Sequence, residues 1–318
     1  MLIKRYFTKP KEPARVRLQN YDWTALKILN DYRYLTTPIL YQLVKLHHPN
    51  LSNETFKHRI TALWRGGFLE RPKEQIALMV RSDDFHITMC LSESGAEMLA
   101  RQFGLDEEKL SWRADQERVG FRLLEHQLSV AKFRASIELS RAFKILFWLS
   151  DGQYYQTIYF RTTNEEQKKI TEADYIGAQV KETIRPDSFF GLAKDNQVNF
   201  YALEIDRGTQ VLKTMAKKYL AYYKLIKNLE REPVKIENQE IRHLRVLTIS
   251  PDESKFENPG LRIKHLKEQT RLIDEKEKGH RSFWFTTEDK IDWQKPKTIL
   301  DKIWQTPTEE KEILSLVN

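Results

Sequence analysis

A strand-length apolar run that carries two acids, Phe200-Tyr201-Ala202-Leu203-Glu204-Ile205-Asp206-Arg207, limits what this chain can fold into. Hydrophobic residues of both parities follow the turn-like Lys194-Asp195-Asn196-Gln197, which predicts the second strand of a hairpin, buried on both faces. Side chains alternate along a strand, so Ala202, Glu204 and Asp206 share one face while Leu203 and Ile205 share the other. Two carboxylates then leave a core strand in the same direction, and burying them unpaired is costly. Two arrangements resolve the conflict. In one, oxygen ligands hold a divalent cation and Asp187, after Pro186 in the preceding strand, supplies a third carboxylate. In the other, Arg185 and Arg207 neutralise the acids and no metal is involved.

The rest of the chain can build cores large enough to bury such a strand. Its 318 residues suffice for two ordinary domains, and 40% hydrophobic with 11% aromatic residues needs no covalent staples. The net charge is +8, from 53 basic and 45 acidic residues, a modest excess that suits a polyanionic partner. Cys90 is the only cysteine, so an internal disulfide and a Cys/His zinc cluster are both excluded, and a reducing, cytoplasmic setting is expected. No apolar run reaches membrane-spanning length, and the first residues lack the apolar core of a signal peptide.

Residues 1–20 are basic and contain Pro10 and Pro13, which predicts a loose arm. Three short helices follow. Trp23, Leu26 and Leu29 mark the first; Thr36 or Thr37 caps the second, with Pro38 early in it; Ser52 caps the third. Phe56, Ile60 and Leu63 turn inward on the third helix, leaving Asn53, Lys57, His58, Thr61 and Arg65 outside. Gly66-Gly67 stops it, and a hairpin is expected from Gln75 to Arg81 and Phe85 to Leu91, with a helix opening at Ser92. Three helices plus a hairpin, with Leu63-Trp64-Arg65-Gly66-Gly67-Phe68-Leu69-Glu70-Arg71 between them, resemble a winged helix-turn-helix over residues 21–104. That resemblance implies a recognition helix on double-stranded DNA, with Lys73 and Arg81 at the base of the wing adding phosphate contacts. The acidic tip, Asp83 and Asp84, is unsuited to phosphates. A homodimer is one expectation for a module that reads a palindrome, although no heptad pattern calls for it.

Residues 105–117 are charged and unpatterned, so a linker is placed there, and residues 118–318 form the second domain. A long helix with Phe121, Leu124, Leu128 and Ala131 on one side opens it. Ala142 to Leu149 ends that helix or forms a strand, and Tyr154 to Ile184 carries little pattern. Thr209 to Leu229 reads as a helix with a basic, aromatic-bearing face of Lys213, Lys217, Lys218 and Tyr222. Leu244–Ile249 and Phe283–Thr287 read as strands, separated by a basic helix from Leu261. Strands alternating with helices, plus one hairpin, predict an α/β layer with a mixed sheet. Overall the fold class is α+β or α/β with two domains.

Pro186-Asp187, a hairpin and Glu204-Ile205-Asp206 resemble the PD-(D/E)xK nuclease superfamily over roughly residues 120 to 304. The run Arg185-Pro186-Asp187, Leu203-Glu204-Ile205-Asp206-Arg207-Gly208-Thr209, then Lys218 and Tyr222 one helical turn apart, is similar to the replication-relaxation family of plasmid and mobile-element proteins. These resemblances imply a DNA endonuclease or nickase with Mg²⁺ or Mn²⁺ held by Asp187, Glu204 and the Ile205 carbonyl. Asp206 stands where the superfamily usually has lysine, so Lys218, or else Arg207, would supply the positive charge near the scissile phosphate. Asp206 itself would ligate metal or orient water, and Glu125 on the opening helix would be a supporting acid, with Glu138 second. A replication or mobile-element protein is the implied partner. The competing expectation is a non-catalytic replication or transcription factor that keeps the nuclease-like scaffold; a transposon-end nuclease is a third.

Overall fold

The computed structural model describes residues 12–77, 86–106, 110, 112–114, 116–150, 152–251, 260–271, 273, 281–308 and 314–316. Much of the basic arm, residues 1–11, lies outside these residues, as do Arg81, Asp83 and Asp84. The chain divides into two units, residues 1–135 and 136–318.

The first unit begins with α1 (Asn20–Tyr32), β1 (Leu35–Thr36), α2 (Thr37–His47) and α3 (Asn53–Arg65). It continues with β2 (Leu69–Glu70), β3 (Thr88–Leu91), α4 (Glu93–Phe103) and the start of α5 (Phe121–Ser140). The cap residues explain the helix starts: Ser52 Oγ accepts from the Thr55 amide at 3.1 Å and Ser92 Oγ from the Gly95 amide at 3.0 Å. Phe56, Ile60, Leu63 and Trp64 are the buried face of α3. Its attachment to α1 is ionic as well, because the buried Asp22 receives the Arg59 guanidinium at 2.5 Å. The three short strands make an antiparallel sheet in the order β1-β3-β2.

One expectation fails in this unit. The stretch beginning at Gln75 does not start as a strand: Gln75, Ile76 and Ala77 form a helical turn, with amides bonded three residues back. The fully buried Gln75 side chain takes over part of the ladder's role, since its amide donates to the Thr88 carbonyl at 3.1 Å and accepts from the Thr88 amide at 2.8 Å. Described residues of the stretch 105–117 pack against the rest of the first unit. Leu110 and Gln116 are buried, and the Gln116 carbonyl accepts from the Tyr34 hydroxyl at 2.9 Å. The division between units falls later, within α5.

The second unit has β4 (Lys144–Ser150), β5 (Gln156–Arg161), α6 (Glu165–Thr171), β6 (Gln179–Ile184), β7 (Ser188–Lys194) and β8 (Gln197–Ile205). Then come α7 (Leu212–Arg231), β9 (Val234–Ile236), β10 (Gln239–Ile241), β11 (Arg245–Ser250), α8 (Leu261–Arg271) and β12 (Phe283–Thr287). Its main sheet runs β12-β11-β8-β7-β4. Pairing is antiparallel from β4 through β7 to β8, and parallel from β8 through β11 to β12, so the sheet is mixed. The hairpin turn is made with Asp195 at φ 52°, a left-handed position that Asp tolerates better than most residues. Ala142–Leu149 resolves as strand, β4, because its Phe147 and Trp148 side chains stack on Phe189 and Phe190 of β7.

Strand β8 is central and buried from Phe200 onward. Ala202 joins a large core cluster with Met215, Ala216, Tyr219 and Leu220 of α7, Leu266 of α8 and Phe283 and Phe285 of β12. That cluster alone accounts for the apolar spacing of α7. Glu204 and Asp206 follow Ala202 in the alternation, so both acids project into the edge of this core.

Candidate functional site

Glu204 is 3% exposed and both of its oxygens are engaged from α7. The Lys218 ammonium donates to Oε2, and the Tyr222 hydroxyl donates to Oε1 at 2.5 Å. Lys218 and Tyr222 are four residues apart, hence neighbours on one helix face, so a single helix delivers both groups to one carboxylate. Asp187 sits between β6 and β7. Its amide donates to the Leu203 carbonyl at 2.9 Å, and its Oδ2 accepts from the Ile205 amide at 2.6 Å. Asp187 therefore spans the backbone on either side of Glu204, its amide on one side and its side chain on the other.

The electrostatics follow from this geometry. Burial pushes the Glu204 carboxyl up to about 7; Lys218 and the Tyr222 hydrogen bond oppose the rise, while the Asp187 charge adds to it. Tyr222, fully buried beside Glu204, is pushed well above its ordinary value. Its hydroxyl therefore stays a donor. Tyr219, one turn earlier on α7, bonds to Thr248 Oγ1 at 3.2 Å and ties the helix to β11.

Asp206 has a different surrounding. Its side chain is closed to solvent and receives a forked contact from Arg262 of α8, Nε to Oδ2 at 2.6 Å and NH2 to Oδ1 at 2.9 Å. The Gly208 amide adds a third donor at 3.0 Å, in a turn that Gly208 makes at φ 69°. The same guanidinium donates to the Gln210 carbonyl at 3.0 Å. An arginine does neutralise this acid, but from α8 and not from Arg185 or Arg207. Arg207 pairs with Glu288 at 3.5 Å, and Arg185 lies over the Tyr155 ring. Arg262 lies 56 positions from Asp206, and nothing local in the sequence announces the pairing.

An oxygen-ligated cation can be tested against these residues. Among the described residues no group of three or more His, Cys, Asp or Glu side chains converges as metal ligands would. Asp206 is held by Arg262, Glu204 by Lys218 and Tyr222, and Asp187 by the Ile205 amide. Mg²⁺ is commonly held by one or two carboxylates with substrate phosphates and water completing its shell. The mutual repulsion of Asp187 and Glu204 favours a cation between them. Carboxylates are the donor type Mg²⁺ and Mn²⁺ take, and Lys218 is the positive charge that holds Glu204 here.

Apart from Glu138, the remaining sequence candidates belong to the first unit. Glu125 belongs to the part of α5 that falls in the first unit. On α3, Asn53, Lys57, His58 and Arg65 are exposed and Thr61 half-buried; His58 is 3.4 Å from Glu54. Lys73 is exposed, and Arg81 lies outside the described residues. No helix among the described residues is long and apolar enough to cross a membrane.

No curated protein and no solved structure matches the chain. A family model described as replication-relaxation matches residues 26–236, a span that runs from α1 to β9 and includes Asp187, Glu204, Lys218 and Tyr222. The chain belongs to the replication-relaxation family.

Proposed function

We propose that this protein acts in the replication of plasmids or mobile elements, binding duplex DNA through its first unit and hydrolysing a phosphodiester with Mg²⁺ in its second. The family supports the replication-related setting. Three helices followed by a small antiparallel sheet support a winged helix with α3 as its reading helix. The order of α5, β4, the β7–β8 hairpin, α7 and the parallel strand β11 supports a PD-(D/E)xK-like domain, with β5, α6 and β6 inserted after its first strand.

The observation that carries the catalytic reading is the meeting of Asp187, Glu204 and Lys218. A lysine from α7 reaches Glu204, whose carboxyl the Asp187 charge also acts on, and supplies the charge that Asp206 cannot. Asp187 and Glu204 would hold Mg²⁺, and what the ion supplies when bound is charge neutralisation at the phosphate and a more acidic water. Lys218 is placed to leave Glu204 for a phosphate oxygen as charge develops there. Tyr222 keeps Glu204 oriented throughout. Asp206 and Arg262 brace the end of β8 against α8.

One arrangement favours the alternative of a non-catalytic scaffold: both Glu204 oxygens and both Asp206 oxygens already have donors. Nicking of supercoiled plasmid discriminates the two. The catalytic reading expects cleavage with Mg²⁺ or Mn²⁺, stopped by EDTA and lost by at least 100-fold in Asp187→Asn and Lys218→Met. Retained DNA binding without metal-dependent cleavage by the wild-type protein, on plasmids with and without a replication origin, supports the scaffold.

A further inference from the structure

The inserted β5–β6 ribbon has two unlike faces. Ile158, Phe160 and Ile184 belong to the core cluster of the second unit, and Glu182 on the same side pairs with Lys217 of α7 at 2.7 Å. The opposite face carries Thr157, Tyr159 and Arg161 on β5, set across from Thr183, Lys181 and Gln179 on β6. Its base is extended by Tyr155 and Arg185, whose guanidinium lies 5.8 Å from the tyrosine ring. None of these eight residues is acidic.

Its composition is unusual for a solvated surface. Tyr155 is 65% and Tyr159 58% exposed, although their rings would bury readily in a core. Lys181 lies 5.8 Å from the Tyr159 ring centre. Three cations therefore interleave with two open aromatic rings along one ribbon. Exposed aromatics that stack on bases, flanked by charges that follow a phosphate backbone, are the chemistry by which proteins hold unpaired nucleic acid. In a duplex the bases are stacked on one another and offer no free face to a tyrosine.

We propose that this face of the β5–β6 ribbon binds single-stranded DNA, with Tyr155 and Tyr159 stacking on bases and Arg161, Lys181 and Arg185 contacting phosphates. The ribbon runs through Arg185 and Pro186 directly into Asp187, so a strand held there enters the second unit beside the acid pair. This last step rests on the nuclease reading; the binding itself does not. An unpaired strand as the second unit's ligand, with duplex held by the first, assigns different DNA forms to the two units.

The test is fluorescence anisotropy of the full-length protein with a labelled oligothymidylate of about 20 nucleotides and a duplex of the same length, in EDTA. Tyr155→Ala and Tyr159→Ala should each weaken single-strand binding about tenfold, while Tyr159→Phe keeps it. Arg161→Ala with Lys181→Ala should make the salt dependence shallower by about one unit of slope. Duplex affinity should be unchanged in all of them. The proposal is overturned if the wild-type protein does not bind the oligothymidylate, or if the tyrosine and basic variants bind it undiminished with unchanged melting temperatures. Because the assay contains no metal, a protein that never cleaves DNA can still pass it, so its failure and that of the nuclease reading are separable.

Discussion

Glu204 and Asp206 lie two residues apart on one strand and one face, yet the protein treats them oppositely. Asp206 meets a planar guanidinium that fits both its oxygens, plus a backbone amide, an arrangement that holds a carboxylate fixed. Glu204 meets a lysine and a tyrosine, with a second acid close by, and its carboxyl is raised to about 7. A forked arginine locks an acid in place. A lysine, which is a point charge on a flexible stem, holds an acid while leaving it open to exchange for another cation or a proton. The difference teaches that proximity in sequence and a shared face do not give shared roles; the helix opposite each acid decides.

The largest effect should come from breaking the locked pair. Arg262→Ala leaves Asp206 buried without its guanidinium and should cost about 3 to 5 kcal/mol of stability, read by denaturant melts. Replacing both partners by apolar residues of similar size should recover much of that loss. The pH dependence sharpens the contrast next. Glu204 has a folded value of about 7 against an ordinary 4.5, so its contribution is present below pH 4.5 and is lost as pH rises through 7. Wild type should therefore lose on the order of 2 kcal/mol between pH 5 and pH 8 that Glu204→Gln does not lose. If the two proteins have parallel stability profiles, Glu204 is as locked as Asp206. The smallest effect belongs to a pair outside both networks: Lys217→Ala, which removes the half-exposed contact to Glu182, should cost under about 1 kcal/mol.

Much of this architecture was legible in the chain. The buried β8 strand, the hairpin before it and the pairing of Lys218 with Tyr222 on one helix face follow from alternation and from helical spacing, both local rules. Ser52 and Ser92 announced their helices for the same reason. Arg262 was not legible, because its contact with Asp206 depends on a parallel connection that brings α8 beside α7, and the sequence around it reads only as a basic helix. Gln75 was misread as strand because its neighbours have strand-like composition, whereas its buried amide substitutes for a ladder partner of Thr88. The β5–β6 ribbon escaped notice because its outward face breaks the apolar alternation with tyrosines and cations. The split of α5 between two units is equally invisible to periodicity, since a helix keeps its spacing wherever the units divide.

The division of labour between the two acids is tested most directly by Mn²⁺ binding, followed by electron paramagnetic resonance at pH 8 and pH 6. If Asp187 and Glu204 are the open pair, the wild-type protein binds Mn²⁺ at pH 8, binds it more weakly at pH 6 as Glu204 takes up a proton, and loses binding in Asp187→Asn and Glu204→Gln. No binding at pH 8, or binding that survives both substitutions, contradicts that assignment and leaves Glu204 a structural acid like Asp206.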